Sequence, residues 1–597
     1  MHLQDIRRFT KAGLLAAAIA ALSACAVSSP PSPQALSPAV HTAAAPNANA
    51  AYDYDLDVFL PVIAHNGMVA TQQEIASQVG LDILRQGGNA IDAAVGIGFA
   101  LAVTLPYAGN IGGGGFMIIH DAKTGQDIAL DFRETAPSQA HRDMFLDTEG
   151  NVIDKKSLLS HYAVGVPGTV AGLEHALKKW GSMPLSRLVA PAISLAENGF
   201  AVSQSLADTL IIKKEAMSSL PESQAIFWRN GEPLKAGDLL VQKDLGLSLR
   251  QIAEQGSHAF YRGDIARKIA REMAPYPGTM TLQDLADFKV VEREPIIGTY
   301  RGYEIVTMPP PSSGGAHLVQ ILNILERWPL AQWGSNSDQT IHYMAESMKL
   351  AYADRAEYLG DPDFVEIPLK GLTSKRYADE LAKQVGERAR PAELIKPGVP
   401  QQYESDETTH YSVVDKEGNA VSVTYTLNGY FGTGIVAAGT GILLNNEMDD
   451  FSVKPGAPNL FKLIGGEKNA VQANKRPLSS MTPTIVLKDR KPYLVTGSPG
   501  GARIITTVLQ VVVNAIDFNM NPAESIATPR FHHQWLPDEL RIEKGFSPDT
   551  LRLLARRGHT IDLKPSMGRT QSIQIRDDGS LHGYSDPRRP DGKTLGY

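Results

Sequence analysis

The 597-residue sequence predicts an α+β protein, on three observations. From about Met68 short apolar runs alternate with stretches of helical periodicity. Two such helices can be placed from their own spacing, and two β-branched, alternating runs flank a turn-rich pentapeptide near residue 415. Thr71-Gln72-Gln73-Glu74 reads as a capping box, with Ile75, Val79 and Ile83 following at four-residue spacing and Gly87-Gly88 as the stop. Residues 91–103 are small and apolar on nearly every face, which predicts a buried helix. The glycines at 109–115 lack the Gly-Lys-Ser/Thr ending of a phosphate loop, so close backbone packing at a turn is the expectation there. A further amphipathic helix covers about 338–356, with Ile341, Met344, Ala345, Met348 and Tyr352 on one face.

The segment 388–407 is polar and punctuated by Pro391, Pro397 and Pro400, and reads as an exposed connector. Residues 408–414 and 420–428 then form the predicted hairpin around Asp415-Lys416-Glu417-Gly418-Asn419. A five-residue loop pairs Val414 with Ala420, and counting back sets Thr408 opposite Thr426. A four-residue loop would shift that register. If the Glu407–Thr408 bond is cut, Thr408 acquires a free α-amine with a pKa of about 7.7–8.0, so nucleophile and base reside in one residue.

A net charge of −7 argues against a basic surface for nucleic acid. The single cysteine, Cys25, excludes an intramolecular disulfide and cysteine-based metal or redox sites. Residues 1–24 read as a secretory signal: Arg7, Arg8 and Lys11 precede the apolar stretch Ala12 to Ala21, which is shorter than the roughly 20 residues needed to span a bilayer. The ending Leu22-Ser23-Ala24-Cys25 resembles a lipobox, with ordinary signal peptidase cleavage nearby as the alternative. Residues 25–57 would then be a Pro/Ala/Ser-rich tether, lipid-anchored at Cys25. The expected location is the periplasm, attached to the outer membrane.

DFRETAP at 131–137, ETTHYSVVD at 407–415, TYTLN at 424–428, LLNNEMDDF at 443–451, KRPLSSMTPTIV at 475–486 and TGSPGGARII at 496–505 occur in this order. On these blocks the sequence resembles the γ-glutamyltransferase (γ-glutamyl transpeptidase) family, close to its enterobacterial periplasmic members, from about residue 58 to 597. The resemblance implies an N-terminal nucleophile hydrolase fold, a four-layer αββα sandwich. One precursor would cut itself into a large subunit (58–407) and a small catalytic subunit (408–597), a heterodimer that is together one domain.

The resemblance further implies that Thr408 is the nucleophile of both self-cleavage and catalysis, with Thr426 hydrogen-bonded to it and Gly500 and Gly501 as the oxyanion-hole pair. Arg133, helped by Ser479 and Ser480, would bind the substrate α-carboxylate. Asp450, Glu447 and Asn428 would hold its α-ammonium. Residues 455–466 match the family's lid loop, with Phe461 where the enterobacterial-type enzymes carry a tyrosine. The implied substrates are glutathione and other γ-glutamyl compounds, with water, amino acids or dipeptides as acceptors and no cofactor. No metal site is expected: adjacent His532 and His533 would point to opposite sides of a strand. The alternatives are a cephalosporin (glutaryl) acylase of the same fold, or an inactive envelope lipoprotein.

Overall fold

The computed structural model describes residues 57–400 and 412–597. Two seven-stranded sheets organise it. The first runs, edge to edge, through Lys593–Gly596, Met68–Thr71, Ser412–Val414, Ala420–Thr426, Gly114–Asp121, Gln126–Phe132 and Val291–Arg293. The second runs through Val62–Ala64, Leu581–Ser585, Gln571–Ile575, Lys491–Thr496, Thr484–Lys488, Tyr303–Thr307 and Ile296–Tyr300. Every pairing within them is antiparallel.

Alternation along a strand decides which core each side chain enters. In Gly114–Asp121, Met117 and Ile119 join the core shared with the helices Glu74–Arg85, Ala90–Thr104, Thr169–Trp180 and Leu185–Asn198. Phe116 and Ile118, on the opposite face, join the core that also holds Ile305, Val486 and Val495 of the second sheet. That core continues through the second sheet to the helices Gly314–Leu325, Asp338–Tyr358 and Arg503–Ile516. The layers are therefore helix, sheet, sheet, helix, as the family resemblance implies. Each sheet takes strands from both sides of residue 408, so neither part of the chain can bury its own strands without the other.

The buried helix is Ala90–Thr104, with every residue buried, and the helix predicted at 338–356 spans Asp338–Tyr358. The hairpin has the five-residue register: Val414 pairs with Ala420 and Ser412 with Ser422. The glycine run is a site of close backbone approach. A Cβ on Gly113 would lie 1.9 Å from Thr426 O, and one on Gly112 2.0 Å from Leu443 O.

Two expectations are corrected. Thr71 does not cap the first helix: it ends a strand paired on both sides, and Gln73 takes the cap, accepting from Ala76 N at 3.0 Å. Pairing with Lys593 and the loss of solvent around Thr71 outweigh the local capping preference. The connector is not wholly exposed either. Ala392 and Ile395 are buried, Arg390 N donates to Glu346 and Lys349 donates to Arg390 O, because the helix Asp338–Tyr358 offers charged partners there. Residues 401–411, which include Glu407 and Thr408, and residues 1–56, which include Cys25, lie outside the described residues.

Candidate active site

A cavity of about 900 Å³ opens where the two sheets meet the loops after residues 426 and 496. It brings together Arg133, Thr426, Asn428, Glu447, Asp450, Phe461, Ser479, Ser480, Gly500 and Gly501. These come from six sequence-distant blocks, so only the closed sandwich can assemble them.

Thr426 ends its strand opposite Gly114, and its hydroxyl accepts from Asn428 N at 2.8 Å. Asn428 lies in the left-handed region, φ 69°, and its amide donates to Asn446 O at 2.9 Å. Across the cavity, Gly500 and Gly501 lie between the strand Lys491–Thr496 and the helix Arg503–Ile516, with φ of 144° and 58°. Such a backbone favours glycine. Neither N–H donates to a described residue, and both glycines line the cavity.

The deep end is an ion cluster. Arg133, directly after the strand Gln126–Phe132, is fully buried and donates to Pro477 O at 3.2 Å through Nε, to Glu447 through Nη1 and to Asp450 at 2.6 Å through Nη2. Glu134 lies 3.9 Å from the same guanidinium, and neither of its carboxyl oxygens has a hydrogen-bond partner among the described residues. Three carboxyl groups thus surround one arginine. Burial is the largest influence on each of them. It pushes Glu134 up to about 7, raises Glu447 well above the carboxylate range and raises Asp450, with Arg133 pulling all three the other way.

A carboxylate reaching Arg133 must therefore displace partners that the arginine already has, the two acids expected to bind the ammonium. Ser480 Oγ accepts at 3.2 Å from Arg355, a second buried arginine, which also donates to Ser313 Oγ at 2.9 Å. Burial lowers the Arg355 pKa to about 10, while Asp450 supports its charge. Ser479 Oγ accepts from Met481 N, which sets the turn that presents both serines.

The loop 455–466 lies over the cavity. Leu460 N donates to Asp449 at 2.9 Å, Asn459 donates to Asp450 at 3.2 Å, and Gln534 donates to the carbonyls of Phe461 and Lys462 at 3.3 and 3.2 Å. The Phe461 ring rests on Gly501, where a Cβ would fall 2.2 Å from Cδ1. His532 and His533 turn to different partners, Thr506 and Gln534 for the first and Asp538 for the second.

Sequence reasoning placed Glu134 in the site only as a member of the Arg133-Glu134 pair, with no role of its own, and missed Arg355, Asn459 and Gln534. For Arg355 a signal existed: it is three residues beyond Tyr352 on the apolar face predicted for 338–356, where an unpaired arginine would be costly. Glu134 lay inside a matched block. Asn459 lay inside the matched lid segment 455–466, while Gln534 carried no signal, since it acts through contacts to residues more than 70 positions away.

A family model described as gamma-glutamyltranspeptidase matches residues 76–596. The chain is 59% identical over 557 residues to the glutathione hydrolase proenzyme of Escherichia coli (strain K12), covering 93% of this chain and 96% of that protein. A crystal structure of cephalosporin acylase from Bacillus halodurans is similar with a TM-score of 0.81 at 30% identity, covering 92% of this chain and 98% of its own. A chain of the crystal structure of Helicobacter pylori gamma-glutamyltranspeptidase is similar with a TM-score of 0.55 at 48% identity, covering 57% of this chain and 97% of its own.

Proposed function

From the premise that the chain belongs to the gamma-glutamyltranspeptidase family, we propose that it is a γ-glutamyltransferase and glutathione hydrolase, made as a precursor and cut before Thr408. The carrying observation is the juxtaposition of a buried cluster of both charges with two unengaged glycine N–H groups in one cavity. A γ-glutamyl group has a zwitterionic head and an amide carbonyl. The head can exchange into the Arg133 cluster, its carboxylate taking Arg133 and its ammonium taking Asp450 and Glu447. Like is exchanged for like, and the buried charges stay paired.

In maturation the Thr408 hydroxyl attacks the Glu407 carbonyl, the peptide nitrogen leaves as the new α-amine, and water hydrolyses the resulting ester. In turnover the α-amine takes the proton of the same hydroxyl as it attacks the γ-carbonyl. Gly500 and Gly501 donate to the oxyanion, a contribution of about 3 kcal/mol for each such donor in related acyl transfers. The amine departs with the proton, leaving a γ-glutamyl ester on Thr408. Water or the amine of an amino acid or dipeptide then attacks that ester and regenerates the hydroxyl.

The two products of the cut are one fragment that begins near Cys25, carries the tether and the large subunit 58–407 and ends at Glu407, and the small subunit 408–597, of 597 − 407 = 190 residues. An acylase acting on glutaryl amides would find no partner for the acids, because glutaryl lacks the ammonium. Export to the periplasm with lipid attachment at Cys25 completes the reading.

The test is N-terminal sequencing of the purified protein together with a γ-glutamyl-4-nitroanilide assay on the same sample. Two chains, one starting at Thr408, and anilide cleavage are expected. Thr408→Ala should stay uncut and inactive, and normal processing of that variant would remove Thr408 from the mechanism. Cys25→Ser should move the protein from the membrane to the soluble fraction; unchanged membrane association would refute the anchor.

A further inference from the structure

The cavity extends well past the Arg133 cluster, and its charge changes character there. Apart from Arg133, Glu447 and Asp450, the charged residues on its walls are eight cations against two carboxylates, Asp208 and Glu539. Several of the cations are answered locally. Arg588 pairs with Glu543 and Asp586, Lys564 with Asp562, Arg569 donates to the Tyr430 hydroxyl at 2.6 Å, and Arg541 donates to Pro565 O at 2.7 Å.

Arg503 is different. It opens the helix Arg503–Ile516 two residues after Gly501 and is half-buried; its N–H donates to Gly500 O at 3.3 Å, but its guanidinium makes no hydrogen bond or ion pair with a described residue. Burial and the neighbouring guanidinium groups of Arg541 and Arg569 push its pKa below the usual arginine value. A cation drawn out of water among like charges is costly, and an anionic ligand is what relieves it.

The position limits which anion. With the acyl half of the substrate at Arg133 and its carbonyl at Gly500 and Gly501, the remaining cavity is the room for the departing amine. A dipeptide leaving group ends in a carboxylate within about 7 Å of the scissile nitrogen, at ~3.3–3.6 Å per extended residue. Arginine suits that end group, since its fork of donors matches a carboxylate.

We propose that Arg503, flanked by Arg541 and Arg569, is an anion subsite that holds the C-terminal carboxylate of the departing peptide, and of a dipeptide acceptor. The subsite rests on the γ-glutamyl reading above. It makes peptide-type γ-glutamyl donors better substrates than γ-glutamyl amides of uncharged amines.

The test compares two chromogenic donors on the matured enzyme, γ-glutamyl-4-nitroanilide and γ-glutamyl-3-carboxy-4-nitroanilide. Arg503→Gln should lower kcat/KM on the carboxylated donor about 10-fold more than on the uncharged one, the scale of one charge-assisted hydrogen bond. Arg503→Lys should restore part of the difference. Equal losses on both donors would assign Arg503 to holding the start of its helix, and no loss on either would empty the subsite; each overturns the proposal. Should Arg503→Gln fail to mature, Arg541→Gln reads the same ratio from a residue away from the helix start. A wild-type enzyme that cleaves neither donor overturns the γ-glutamyl reading and the subsite with it.

Discussion

Two of the buried ion clusters among the described residues, those around Arg530 and Arg133, are built differently. Around Arg530, the guanidinium pairs with Asp586 at 2.7 Å and also donates to Met567 O, Ile526 O and Thr570 Oγ1, while Arg588 pairs with Glu543 and Asp586. Two cations meet two anions there. The two arginines hold the Asp586 pKa below its ordinary value despite burial. Around Arg133, three carboxyl groups crowd one guanidinium, two oxygens of Glu134 have no hydrogen-bond partner among the described residues, and burial drives all three pKa values upward. The first cluster is electrostatically complete and fastens the chain near residue 586 to the turn at 526–530. The second holds more acid than the one guanidinium can pair, and under the proposed function the surplus acids are what a substrate ammonium would meet once the substrate carboxylate takes Arg133. Burial alone does not distinguish a structural ion pair from a binding site; the balance of charge does.

The comparison can be broken most directly at Asp450. Asp450→Ala should lower kcat/KM on γ-glutamyl-4-nitroanilide about 1,000-fold, since ~4 kcal/mol is the scale of a buried charge pair that loses one partner. Its melting temperature should hold. A variant that melts early and loses activity only in proportion would make the Arg133 cluster structural as well.

Asp586→Asn should do the reverse, costing about 3 kcal/mol in urea unfolding because Arg530 is left buried without its counter-charge, with kcat/KM per folded molecule retained. A large loss of turnover in a protein of unchanged stability would erase the distinction from the other side.

The smallest effect is a pH dependence of opposite sign in the two clusters. A carboxyl whose folded pKa lies above its unfolded value of about 4.3 opposes folding at higher pH, and the penalty is relieved as pH falls through the folded value. With Glu134 near 7, the unliganded protein should gain stability between pH 8 and 6. A lowered carboxyl behaves inversely: the Asp586 contribution is complete above about pH 4 and is lost as pH falls through its folded value. Melting curves against pH should show both limbs, with Glu134→Gln flattening the first and Asp586→Asn the second.

The helix at 338–358, the buried helix at 90–104 and the hairpin register were legible because each depends on spacing within a few turns of chain. The helix start at 71–74 was misread because Thr71 ends a strand held between residues 412–414 and 593–596 and itself pairs with Lys593, partners that no local window contains. The matched blocks named most of the cavity wall. They did not reveal that Arg133 is shared by Glu447 and Asp450, or that the Arg503 guanidinium has no partner among the described residues, because both are statements about which charges meet.

By itself the sequence determined the residue types available for the chemistry: a threonine at a strand start, a glycine pair free to take positive φ, and an arginine and acids in matched blocks. These follow from backbone sterics and side-chain pKa values, which travel with the residue. The tertiary structure alone decided how many charges share one dry volume and which hydrogen-bond donors remain unanswered. The energy of a buried charge depends on its neighbours in space and on the water excluded around it, and in this molecule the neighbours of Arg133 come from more than 300 residues away.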